Sequence, residues 1–211
     1  MDITQNVIKP AQDLGFLTSY EARLALNLSS STDETIDDLL EMLIKWSSDE
    51  IAVQCNRVFA KETLIETFRE INSGCKRLFL THYPIVGIDS VVVGGTTLVS
   101  GVDYVMDSDA GKLTRLSTTW SSPVVVSYTG GYDLPAEAPP ALQQATLLMA
   151  REAYYATIRG DATVRMIGHK EARVIYFDPN TALKGSGGSS GGSPARRAVA
   201  DLLTAYMRFE I

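Results

Sequence analysis

The chain has 211 residues and a mass of 23.0 kDa, with 45% apolar and 21% charged residues and a net charge of −6 from 25 acids and 19 bases. That composition carries a core and excludes wholesale disorder, while no apolar run nears the ~18–20 residues of a membrane-spanning helix. An acidic balance also argues against a nucleic-acid grip, which needs basic surface to neutralise phosphates. The start, Met1-Asp2-Ile3-Thr4-Gln5, has neither a basic region nor an apolar core, so no secretory leader is expected and Cys55 and Cys75 read as reduced thiols. The expectation is a soluble, cytosolic chain of one domain, or one with an embedded subdomain.

The first third predicts helix. Thr18 followed by Glu21 has capping-box spacing and opens a short helix toward Leu28, and Ser31 with Glu34 offers a second box. Over residues 33–56 the apolar positions Ile36, Leu39, Leu40, Leu43, Trp46, Ile51 and Cys55 approximate one buried stripe, predicting a spine helix of roughly 36 Å. Its front carries Asp33, Glu34, Asp37, Asp38 and Glu41, and the early acids suit the positive end of the helix dipole. Residues 1–50 hold ten acids against three bases, for −7, and the remainder fifteen against sixteen, for +1. This asymmetry points to one electrostatically distinct face, the alternative being an ordinary solvated helix surface.

Short strands succeed it. Residues 62–69, 77–81, 88–93, 103–106, 112–115 and 123–128 read as strands, separated by Ser73-Gly74, Pro84, Gly94-Gly95, the 107–111 turn cluster and Gly130-Gly131. That density predicts an antiparallel β insertion between helical segments. After Pro139-Pro140, Leu142, Ala145, Leu148, Met149, Ala153 and Ala156 form a helical stripe ending near Gly160. Residues 161–184 are ambiguous, with one possible strand at 173–177. Residues 185–193 are only Gly and Ser and read as a flexible linker. Beyond Pro194, Val199, Leu202, Leu203, Tyr206 and Met207 make a last amphipathic helix. The expected fold is therefore α+β: a helical core (1–60 and 133–184), an inserted antiparallel β subdomain (61–132), the linker (185–193) and a C-terminal segment (194–211).

Reactive constellations are missing from the sequence. His82 and His169 have no Cys or second His at ligand spacing, so no metal is expected. The Asp103-to-Gly111 stretch lacks the oxygen ligands and closing Glu of a calcium loop. Gly111-Lys112 lacks a glycine five residues before it and a following Ser or Thr, so it is no phosphate loop. No serine sits in a GxSxG elbow, and Cys55 lies on the inner face of the spine helix. No cofactor and no enzymatic activity are expected.

The order of features resembles the phage head–tail connector (adaptor, or head-completion) family, in the long form also found in gene-transfer-agent particles. Leu17-Thr18-x-x-Glu21-Ala22-Arg23-x-x-Leu26 is similar to that family's first helix, Asp33-Glu34 leading into Ile36 and Leu39-Leu40 to its second, and Asn56-Arg57-Val58-Phe59 to the helix end before the strands. Leu78-x-Leu80, Pro84-Ile85-Val86-x-Ile88, Gly94-Gly95, Asp103-Tyr104, Gly111-x-Leu113, Trp120 and Val124-x-Val126-x-Tyr128-x-x-Gly131 follow in the family's order, as do Leu142-x-x-Ala145 and Tyr154-Tyr155 with Arg159. The resemblance spans about residues 14–160 and is loose beyond.

The resemblance implies a homo-oligomeric ring, usually of twelve copies, beneath the portal protein, whose lumen passes duplex DNA and whose lower face meets a stopper or tail-completion protein. It implies a place in the virion neck, reached from the host cytoplasm during assembly, with no membrane. A stopper or tail-terminator is the neighbouring alternative, and a small hydrolase or binding module the alternative of another class. The acids Asp33, Glu34, Asp37, Asp38 and Glu41 are candidates to face the channel, where they would keep the duplex from sticking. The tethered C-terminal segment, through Arg196, Arg197, Val199, Leu202, Leu203, Tyr206, Met207 and Phe209, is the candidate for docking on the portal; the alternative is that its helix folds back onto the chain's own core.

Overall fold

In the computed structural model, residues 2–28, 34–158, 166–169, 172–175 and 194–208 are described. The chain is mixed α+β and divides into two compact units, Met1–Leu14 with Asn56–Ala138, and Gly15–Cys55 with Pro139–Ile211.

The first unit is all β. Its strands are β1 (Ile3–Lys9), β2 (Glu62–Phe68), β3 (Arg77–Phe79), β4 (Ile85–Val93), β5 (Thr96–Thr97), β6 (Tyr104–Asp107), β7 (Lys112–Arg115) and β8 (Val124–Gly130). One antiparallel sheet runs β1-β2-β8-β4-β5, and a second runs β3-β7-β6. Alternation decides what each strand buries. Leu64, Glu66 and Phe68 of β2 and Val124, Val126 and Tyr128 of β8 are inward and stand directly opposite one another. With Leu78, Leu80, Ile85, Val91, Tyr104, Leu113 and Trp120 they form one core drawn from both sheets. Each large side chain buried there contributes about 1.5–3 kcal/mol.

One strand lies where helix was expected. Ile3–Lys9, assigned by sequence to the helical core over 1–60, pairs with β2 in register Ile3 to Phe68 and Val7 to Leu64. Six of its seven residues are exposed, so no apolar alternation marks it. Backbone pairing at a sheet edge, which the side chains do not encode, sets its conformation.

The unit is closed where the chain enters and leaves it. Lys61 N donates to Tyr132 O at 2.8 Å, Tyr132 N to Phe59 O at 2.7 Å, and Ala60 bridges Tyr132 in parallel. Gly131 lies between, at φ 101°, and donates to Pro84 O. Arg57 caps the closure from the side. Its guanidinium carbon stands 3.4 Å from the Tyr83 ring centroid and 4.7 Å from that of Phe59, and it donates to the Tyr83 carbonyl.

The second unit is built on helices α1 (Ser19–Ala25), α2 (Glu34–Cys55), α3 (Pro140–Ile158) and α4 (Pro194–Leu203), with a small hairpin of β9 (Met166–His169) and β10 (Ala172–Ile175). Thr18 caps α1 through the full capping box with Glu21. Helix α2 packs against α1 and α3, and the core cluster takes Ala22, Leu26, Leu40, Leu43, Ile44, Ala150 and Tyr154. The Ser31–Glu34 capping box and the 185–193 linker fall on residues outside the described set.

A Cβ at Gly131 would stand 2.3 Å from Ala60 O, on a backbone conformation that side chains avoid. Gly131→Ala is expected to cost at least about 2 kcal/mol of stability. Urea unfolding measures it, and a midpoint unchanged from the parent would show that the closure does not hold the unit.

Candidate functional site

Of the groups that sequence singles out for chemistry, His82, Cys75 and Asp107 have structural partners. His82 is buried in the β unit, with Nε2 3.2 Å from Glu62 Oε2 and Nδ1 2.9 Å from Thr81 Oγ1. Cys55 is buried, Cys75 is half-buried and donates to Arg77 O, and neither is in a disulfide. His169 lies in β9. Asp107 sits in the β6–β7 turn, where the hydrogen bond from Lys112 first, and that from Ala110 N second, hold its carboxyl below the usual range. Among the described residues no three metal-ligating side chains cluster.

One buried acid escaped the sequence reading. Glu66 is completely buried on β2, where it accepts from Tyr128 Oη at 2.9 Å, from Thr81 N at 3.2 Å and from the Thr81 hydroxyl. The signal was available: Leu64, Glu66 and Phe68 alternate on one strand face, so position 66 points inward. Burial first, and the Glu66 charge second, push the Tyr128 phenol well above its ordinary range. Tyr128 therefore stays protonated as donor to Glu66 and as acceptor from His82 N at 3.1 Å. These contacts converge on Glu66 Oε1 and tie β2 and β8 to the segment after β3.

The remaining candidate residues of the sequence lie in the helical unit. The acids expected to act together separate. Glu34, Asp38 and Glu41 are exposed along α2, whereas Asp37 is half-buried and bonded to Arg23 at 2.6 Å. Asp33 lies outside the described residues.

The C-terminal docking candidates divide more sharply. Helix α4 packs on α3, and Val199 and Leu203 are 2% and 0% exposed. Leu202 and Tyr206 are half-buried, while Arg196, Arg197 and Met207 are exposed; Phe209 lies outside the described residues. Just beyond α4, Arg208 N donates to Cys55 O at 2.9 Å, tying the segment to the end of α2. The apolar stripe read as facing a portal thus lines the protein's own core. Helix α4 has ten residues, too few to be stable alone, and packing on α3 supplies the missing stabilisation.

Packing leaves other apolar side chains uncovered. On α2, Met42, Trp46 and Val53 are 39%, 60% and 79% exposed, and on α1 Tyr20 and Leu24 are 73% and 59% exposed. Beside Trp46 runs a groove of about 260 Å³ between α2 and α3, lined by Leu43, Glu50, Met149 and Glu152 among others, with Arg196 of α4 at one end.

A family model described as head completion protein matches residues 17–166. No curated protein matches the chain. Among solved structures it is similar to a chain in the neck of an empty GTA particle computed with C6 symmetry, with a TM-score of 0.61 at 15% identity over 99% of this chain and 97% of that one. A chain from the virion of a native gene transfer agent (GTA) particle gives 0.56 at 14%, and one from the neck of a native GTA particle computed with C12 symmetry gives 0.51 at 12%, both over the same shares. At these identities the likeness is one of fold.

Because Leu203 is fully buried on the face of α4 that packs on α3, Leu203→Ala is expected to cost about 2–4 kcal/mol. Removing residues 186–211 should lower the melting temperature by several degrees, since the α3 face that α4 covers would meet water. Calorimetry of both variants checks this. Unchanged melting would mean that α4 contributes nothing to its own unit.

Proposed function

Since the chain belongs to the head completion protein family, we propose that it is a structural connector between head and tail of a phage or phage-like particle. Copies form a ring, of twelve in the family's usual number, beneath the portal. The ring continues the DNA channel and presents its lower face to a stopper or tail-completion protein. The protein works in the virion neck, after assembly in the host cytoplasm. The observation that carries this reading is the whole-chain likeness in fold to neck chains of gene-transfer-agent particles, alongside a family match over residues 17–166.

Physical features support it. A conduit must let duplex DNA slide, and phosphate contacts would stall it. The exposed acids Glu34, Asp38 and Glu41 are the ones we assign to the lumen, where they repel the duplex. Asp37 is left out of that set because Arg23 pairs with it. The portal contact falls to surfaces other than the apolar stripe of α4, since Val199 and Leu203 serve the helical unit itself. The role is architectural, with no catalysis and no cofactor.

Electron microscopy of particle necks is the test. The protein is expected as a ring whose rotational order matches that of the neck, and one or two copies per vertex would overturn the reading. The isolated protein should also bind duplex DNA no more tightly than about 10⁻⁴–10⁻⁶ M near physiological salt, the non-specific range. Submicromolar affinity with a steep salt slope would mark a nucleic-acid-binding protein instead.

A further inference from the structure

We infer that the ring is closed by a head-to-tail contact in which the α1 face bearing Tyr20 and Leu24 of one copy seats against the Trp46 groove of the next. This rests on the connector reading above and names the surface that reading leaves open. At about 100° per residue, Met42, Trp46 and Val53 fall within roughly 40° of one another on α2, forming a single uncovered apolar stripe. Tyr20 and Leu24 stand four residues apart on α1 and share its outer face, away from the buried Ala22. Large exposed apolar side chains concentrated this way mark an interaction surface.

The two patches lie on different flanks of one unit. The segment of α1 meets α2 on the side of Asp37 and Ser48, through the Arg23–Asp37 pair and the bond from Phe16 N to Ser48 Oγ. The groove opens on the other side of α2, between Trp46 and Met149 of α3. A cyclic ring needs two different, mutually complementary faces on each copy, whereas a twofold dimer needs one self-complementary face. A projecting pair on one flank and a groove on the other meet the first requirement.

Glu21 is exposed next to Tyr20, and Arg196 lines the groove together with Glu50 and Glu152, so Glu21 of one copy has one base to meet on the next. The stripe also borders Asp38 on α2, so a helix whose apolar arc meets a neighbour turns its adjacent acidic arc toward the lumen.

Cysteine pairing tests the contact. Full-length chains on a Cys75→Ser background carry either Trp46→Cys or Leu24→Cys, both at exposed positions. Under conditions where electron microscopy shows rings, oxidation is expected to link the two variants only when they are mixed. A chain carrying both substitutions should give a ladder of covalent multimers up to the ring. Links within either single variant, or rings without mixed links, would overturn this contact and leave the connector reading standing. Absence of any ring, from necks as well as from concentrated protein, would overturn both. Independently, Trp46→Glu is expected to raise the concentration for half-assembly by about tenfold or more, while Val102→Glu in the β unit leaves it unchanged. A shift of less than about twofold for Trp46→Glu, in a protein whose melting is unchanged, would count against the groove.

Discussion

The β unit depends on how its two chain ends are held together. Its sequence interrupts a helical one, so the strand core can persist only if entry at residues 57–61 and exit at 130–132 are fastened to each other. Hydrogen bonds between Phe59, Lys61 and Tyr132 do this, and Gly131 allows the strands to approach closely enough. Arg57 covers the junction with aromatic rings on two sides. An inserted unit fastened at its base folds as a body of its own, because closing its ends removes most of the loop entropy that would otherwise oppose the insertion.

From that closure the internal chemistry of the unit follows. Holding β2 beside β8 brings Glu66 next to Tyr128, and the Thr81–His82 segment supplies the remaining hydrogen bonds. A buried carboxylate without these partners would cost several kcal/mol. The network therefore ties β2, β8 and the segment after β3 into one arrangement, and its titratable groups are structural ones.

In the helical unit the same need for cover sorts the apolar residues. Val199 and Leu203 are covered by α3, while Met42, Trp46 and Val53, of comparable apolarity, stay in water. A monomer gains nothing from that exposure. A ring in which each copy covered its neighbour's patch would gain from it, as the contact proposed above requires.

Sequence alone determined the strand alternation of β2 and β8, the capping box that starts α1, the long α2 and the Gly94-Gly95 hairpin turn, because each depends on neighbours a few residues away. Through the order of weak structural motifs it also determined the family. Tertiary structure alone decided three matters. Ile3–Lys9 became a strand because β2 offered an edge, although its own pattern shows no periodicity. The amphipathic residues 194–203 turned inward because α3 had an apolar face to cover; amphipathicity tells that a helix will be covered, and by what is settled only by packing. Asp37 and Glu34 look alike in sequence, yet Arg23 pairs with the first and leaves the second in solvent, since α1 packs on α2 beside Asp37.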